Sequence, residues 1–257
     1  MPPGPVSGPG VWYGRDLQRH TDWMRHFTAV EPMRARSRRS PTWGSARGSA
    51  ARSQNAKGHL LGHVKDLDLD IKDPNVRYYQ TSRRLEYHTD SVDVVGLLCL
   101  KTAKSGGESF IASSMTLYNE VLARRPDLLP ALFEPYPTDR RGEVPEGMQP
   151  WFDMPVYHHH AGRLTCIYVR QYIESAQKLF PQAKRLRREQ VEAMDLLDEL
   201  LNEPQIHLSM AFLPGDMQFL HNHQTLHSRN DFENWPERER GGIVVRGTTP
   251  RVPLEAE

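Results

Sequence analysis

A chain of 257 residues is long enough to bury one sizeable core. Its 33 Lys+Arg stand against 32 Asp+Glu, so no net field draws it to nucleic acid or to an anionic membrane. The first ten residues lack the apolar core of a signal peptide, no run of about 18 apolar residues occurs, and Cys99 and Cys166 sit in apolar runs where reduced thiols are expected rather than a disulfide. The expectation is a soluble, cytoplasmic protein without a nucleic-acid or membrane partner.

Residues 1–30 carry Trp12, Tyr13, Trp23 and Phe27, enough aromatic surface to dock on a core but not to make one. Residues 33–53 turn to Arg, Ser, Gly and Ala, with Arg34, Arg36, Arg38, Arg39, Arg47 and Arg52 and no acidic residue. Such a stretch cannot offset its own ordering cost and reads as a mobile, solvated tether. The chain therefore divides into an arm and linker over 1–52 and a single domain over 53–257. His59 and His63 have the i,i+4 spacing of helical ligands, but Gly58 and Gly62 argue against a helix there. Residues 94–100 fit a strand buried on both faces, and 109–113 a further strand. Ser113 or Ser114 then caps a helix through about Arg125, which Pro126 ends, and a helical turn follows over 127–133.

Residues 135–150 contain Pro135, Pro137, Pro145 and Pro150 and read as a loop of the kind that covers a site. Strands over 151–157 and 164–169 flank His158-His159-His160-Ala161-Gly162 as a hairpin turn. Three adjacent histidines on an extended chain point alternately to opposite faces, so they do not chelate one ion together. Val191, Met194, Leu197, Leu200 and Leu201 recur at helical spacing, which predicts a helix over 189–201 on the outside of a sheet. Strands over 205–212 and 217–220 enclose the turn Leu213-Pro214-Gly215-Asp216. Many short strands, few helices and no βα alternation predict a mainly β protein with flanking helices, an antiparallel sandwich or jelly roll.

The chemistry begins at Tyr87-His88-Thr89-Asp90. Side chains on a strand repeat every second residue, so His88 and Asp90 would project together and grip one ion. A distant imidazole, for which His227 is the candidate, completes two histidines and one carboxylate. That set covers one face of an octahedron and is the ligand set of non-haem Fe(II) oxygenases. A local alternative is His221, His223 and His227, whose three imidazoles suit Zn2+ in a hydrolase.

Leu85-Glu86-Tyr87-His88-Thr89-Asp90, the apolar run 94–100, Ser105-Gly106-Gly107-Glu108-Ser109, Leu226-His227-Ser228-Arg229, Phe232 and Arg246 follow one another in an order that resembles the taurine dioxygenase (TauD/TfdA-like) family over roughly residues 53–246. The resemblance implies a double-stranded β-helix (jelly-roll, cupin-like) barrel and a dioxygenase that uses Fe(II), 2-oxoglutarate and O2 to hydroxylate a small organic substrate, releasing succinate and CO2. It makes His88, Asp90 and His227 the metal ligands and catalytic residues. Asn222 lies in the segment that precedes the family's distal histidine without ligating, so His227 alone explains the match. Arg246, ending Ile243-Val244-Val245, matches the arginine whose planar fork meets the far carboxylate of 2-oxoglutarate, while Arg240 and Arg251 read as surface charges. Ser109 stands where relatives often use Thr to support the cosubstrate. Tyr78, Tyr79 and Tyr87 are candidates for the pocket wall, and association into a homo-oligomer stays open.

Two features depart from the family pattern. The Arg/Ser/Gly stretch stands where relatives carry a longer folded region. Gly247-Thr248-Thr249-Pro250 replaces an apolar, Trp-containing end, so the closing strand is expected to be cut short. These departures leave a catalytically silent or truncated metal-binding member of the fold as an alternative, beside the zinc hydrolase.

Overall fold

Strands with apolar side chains at alternate positions pair into two four-stranded antiparallel sheets. The computed structural model describes residues 1–19, 23–24, 61–64, 66–69, 80–236 and 243–249, and for 61–63 and 243–249 the description is of the backbone. The first sheet runs in the order β1 (Leu61–Val64), β14 (Ile243–Thr249), β3 (Val94–Lys101), β11 (Met217–His221). The second runs β10 (His207–Met210), β5 (Ser109–Ser113), β12 (Thr225–Arg229), β2 (Leu85–His88). Smaller two-stranded sheets pair β4 (Ser105–Gly106) with β13 (Phe232–Glu233), and, as hairpins, β6 (Tyr136–Asp139) with β7 (Trp151–Met154) and β8 (Tyr157–His160) with β9 (Arg163–Cys166). Four α-helices, α1 (Gly14–Leu17), α2 (Ser114–Arg124), α3 (Arg170–Leu179) and α4 (Arg188–Leu201), and two short 3-10 turns, Leu129–Phe133 and Asn222–Gln224, complete the described residues. The protein is mainly β, and none of these helices is long and apolar enough to cross a membrane.

The two sheets meet through one cluster. Val95 and Leu220 of the first sheet pack with Ile111 and Leu208 of the second, and Leu97, Met210 and Trp12 pack against them. The other face of the second sheet carries Tyr87, Ala112 and Leu226 into a larger core built with Leu117, Tyr118 and Val121 of α2 and Met194, Leu197, Leu200 and Leu201 of α4. The outer face of the first sheet has no such cover among the described residues, since Leu100, Met217 and Phe219 are exposed. Along strand 94–101 Val95, Gly96 and Cys99 are buried, Val94, Leu97 and Leu98 half-buried, and Leu100 and Lys101 exposed, so burial fades toward its end.

Ser113 is the cap of α2, its hydroxyl accepting from the Thr116 N–H at 3.0 Å. Three other expectations need correction. The stretch 135–150 is not all loop, because β6 lies within it and pairs along β7 despite Pro137. The three histidines 158–160 belong to strand β8, and the turn is Ala161-Gly162, both at positive φ (48° and 73°). The closing strand is not cut short: β14 pairs along β3 from Lys101 to Val94, and Gly247-Thr248-Thr249 continue the ladder. His63 lies in β1, in agreement with the absence of a helix. The tether 33–53 and His59, Tyr78 and Tyr79 lie outside the described residues.

The N-terminal arm is docked. The Asn119 amide exchanges hydrogen bonds with both backbone groups of Val6 (2.8 and 2.9 Å), Thr116 does the same for Trp12 (3.0 and 2.7 Å), and the Gly14 N–H donates to the Ile206 carbonyl at 3.1 Å. Cys99 and Cys166 are buried and free.

Candidate metal centre

β2 and β12 are neighbours, and His88 lies directly across the ladder from His227. Their rings are 4.2 Å apart between centroids. Asp90 completes the group: its Oδ1 is 3.8 Å from His88 Nε2 and its Oδ2 3.6 Å from His227 Nε2. One ligand atom from each of the three residues lies within 4.8 Å of the others, and among the described residues this is the one cluster of histidines, cysteines or carboxylates close enough to hold an ion. The pairing expected from a shared strand is reached differently, because β2 ends at His88 and Asp90 stands in the loop beyond it. Strand alternation therefore does not aim Asp90. That loop is anchored to Tyr168, whose carbonyl accepts from the Thr89 N–H (2.9 Å) and whose N–H donates to Thr89 Oγ1 (3.0 Å), and to Asn222, whose side chain pairs with the backbone of Asp90.

The electrostatics suit a cation. His88 Nδ1 lies 2.9 Å from the Glu86 carbonyl, which can only accept, so Nδ1 carries a proton and Nε2 is the nitrogen left for a metal, on the side of Asp90. Burial holds His227 well below the ordinary histidine value, and the neighbouring His88 adds to the effect. Two imidazoles and a carboxylate facing one point fit Fe(II).

The alternative zinc triad does not converge. His221 is exposed, His223 pairs with Asp93 at 2.9 Å, and His227 is buried beside Asp90. His158 is held below its ordinary value by burial and then by His223, whereas His159 and His160 are exposed. Tyr87 belongs to the core on the opposite face of the second sheet and does not line the interior.

The cosubstrate candidates fall on facing ladders. Ser109 is buried, stands opposite Met210 and Arg229, and is two residues from Ile111, the partner of His227 in register. In the first sheet, position 246 stands opposite Leu97, and Leu97 opposite Gln218. Gln218 reaches across the interior, its Nε2 3.7 Å from the Met210 sulfur, while its buried Oε1 has no hydrogen-bond partner. The ladder row holding position 246 therefore faces the row holding Ser109. Sequence reasoning missed Asn222, Tyr168 and the Glu86 carbonyl as supports. Only Asn222 left a trace, as a polar residue before His227 that the ligand set did not use.

The sequence profile described as Taurine catabolism dioxygenase TauD, TfdA family matches residues 28–248. The chain belongs to this family. It is 34% identical over 188 residues to FR-33289 synthase of Streptomyces rubellomurinus, covering 71% of this chain and 54% of that protein. It is 31% identical over 189 residues to a taurine hydroxylase-like protein of Stachybotrys chartarum, covering 70% and 47%. The chain thus spans about half the length of these curated relatives. Among solved structures it is similar to asparagine oxygenase in complex with Fe(II), 2S,3S-3-hydroxyasparagine and succinate (TM-score 0.56, 18% identity, 74% of this chain and 56% of that one). It is also similar to the non-haem iron oxygenase OrfP in complex with Fe and alpha-ketoglutaric acid (TM-score 0.55, 14% identity, 75% and 57%). At these identities the likeness is one of fold.

Proposed function

We propose that the chain is an Fe(II)/2-oxoglutarate-dependent dioxygenase that hydroxylates a small organic substrate. The observation that carries this reading is the meeting of His88, Asp90 and His227 between two facing sheets in a member of the TauD, TfdA family. In this reading the three residues hold Fe(II) and are the catalytic centre, and the facing sheets form a double-stranded β-helix barrel. Iron bound there, with 2-oxoglutarate and O2, supplies the oxidising power that inserts one oxygen atom into the substrate and releases succinate and CO2. The chain's own work is positional. Glu86 holds the His88 tautomer, burial keeps His227 neutral, and the facing apolar cluster keeps bulk water from the interior. Arg246 binds the far carboxylate of 2-oxoglutarate and Ser109 supports it, a role that the facing ladder rows favour. The same reading makes residues 1–52 an arm and linker to one domain over 53–257, and the docked residues 6–14 support the arm. The free thiols suit the cytoplasm.

Anaerobic addition of Fe(II) and 2-oxoglutarate is expected to give a charge-transfer absorption band. The band is expected to survive His221→Ala and to vanish in His88→Ala, Asp90→Ala and His227→Ala. Its loss in His221→Ala with retention in His88→Ala would overturn the ligand assignment. Succinate release across a panel of small acids and amines then tests turnover, and a bound iron that never yields succinate would mark a catalytically silent member of the family.

A further inference from the structure

We infer that Asn222 is a positioning residue that fixes where Asp90 stands and couples it to His227, an inference that rests on the ligand reading above. Asp90 is beyond the end of β2, outside the ladder that fixes His88. One side chain engages both of its backbone groups. Asn222 Oδ1 accepts from the Asp90 N–H at 2.8 Å, and Asn222 Nδ2 donates to the carbonyls of Asp90 and Val92, both at 2.6 Å. The backbone N–H of Asn222 adds a bond to the Asp93 carbonyl at 2.9 Å, and His223 closes the same loop through Asp93. Asn222 is fully buried, so both donors of its amide and its acceptor are engaged away from water, where each unmade bond is costly.

The placement matters as much as the bonds. Asn222 opens the short turn Asn222–Gln224, which runs directly into β12 and His227. A shift of this turn would move Asp90 and His227 together, which keeps their 3.6 Å approach although they are distant in sequence. A residue that only glued the loop would set its stability. A residue that sets the bite of the site must also set its affinity for metal.

Asn222→Asp keeps the size and the acceptor for the Asp90 N–H, loses both donations, and places a charge against two carbonyl oxygens. It is expected to raise the Fe(II) dissociation constant by about 10–100-fold, the usual effect of losing a support behind a metal ligand, while far-UV circular dichroism and cooperative melting are retained. A folded Asn222→Asp protein that binds Fe(II) as the unmodified protein does would overturn the inference. A measurement on the unmodified protein does not depend on the variant folding: amide exchange at Asp90, without metal, is expected to be slow, and exchange at the rate of an open loop would overturn it equally. Asp90→Ala separates this inference from its foundation. If that variant binds Fe(II) normally, the ligand reading fails; if it loses Fe(II) while Asn222→Asp does not, only the positioning role fails.

Discussion

A histidine that binds a metal must offer a lone pair, and the two histidines here are prepared in different ways. His88 is fixed by a hydrogen bond from Nδ1 to a carbonyl of its own strand, and His227 by burial that leaves no room for the charged form. The identities of both, and of Asp90, were legible in the sequence because the chemistry restricts residue type and the family motifs restrict order. The geometry was not. A spacing of two residues implied a shared strand, but the strand ends at His88, and what aims Asp90 is an amide side chain distant in the chain. Arg246 was chosen from the sequence as an arginine ending an apolar run, and the structure adds its backbone register opposite Leu97. Truncation of Arg246 to Ala would leave a desolvated carboxylate without its cation, at about 2–5 kcal/mol, so 2-oxoglutarate is expected to bind about thirtyfold weaker or worse. Lysine should restore only part, since it offers a point charge in place of a fork. Fe(II) affinity should stay within about twofold, because no ligand is touched. Titration of 2-oxoglutarate into the Arg240→Ala, Arg246→Ala and Arg251→Ala proteins decides it, and a large loss at Arg240 or Arg251 with none at Arg246 would remove the assignment.

Elements with a strong local signal were read correctly, and those held by tertiary partners were missed. α2 has its Ser113 cap and Pro126 just past its end, and α4 its apolar stripe, all visible in the chain. α3 has only Ile173 and Ala176 buried, too few for a stripe; it is tied to α4 by Arg170, which reaches Asp195 and Asp198 at 2.6 and 2.8 Å. Strand β6 was hidden by Pro137, because a hairpin outside the two main sheets tolerates a proline where a central strand would not. The arm was expected to dock, but the tightness of its seat was not visible. At Gly14 an added Cβ would lie 1.7 Å from the His207 carbonyl oxygen and 2.6 Å from the Leu208 nitrogen, both backbone atoms of β10. Gly14→Ala is therefore expected to force the arm off β10 and to lower stability by about 1–3 kcal/mol, the usual cost of overpacking. Fe(II) binding should persist, since the ligands stand on other elements. Urea unfolding with limited proteolysis of residues 1–19 checks this, and a variant as stable and as protected as the original would show that the seat is loose.

Across the molecule, composition did not show that the second sheet is covered on both faces while, among the described residues, Leu100, Met217 and Phe219 lie exposed on the outer face of the first. The larger core also concentrates phenols: Tyr87, Tyr136, Tyr157 and Tyr168 are all buried there. Burial is the main cause that pushes each of them above the ordinary tyrosine value of 10.0. Two of them also donate inward as neutral hydroxyls, Tyr157 to the Ser114 carbonyl at 2.7 Å and Tyr168 to Asp198 at 2.9 Å. A group whose value is raised by folding contributes its stability in full below the unfolded value and loses it as pH climbs toward the folded one. In the unfolded chain these phenols ionise near pH 10, while the folded chain still holds their protons, so the unfolded state binds fewer protons above that point and stability must fall. Each tyrosine adds a slope of about 1.4 kcal/mol per pH unit once well above pH 10, so several acting together should cost the protein several kcal/mol by about pH 11. The urea midpoint is expected to vary little with these groups up to about pH 9 and to drop steeply between about pH 10 and 11. Tyr136→Phe should flatten that drop, since it removes one ionisable phenol whose hydroxyl makes only a long 3.5 Å bond to the Gln190 carbonyl. A midpoint that stays level through pH 11, or a Tyr136→Phe protein that falls as steeply as the original, would mean that these hydroxyls reach solvent in the folded state.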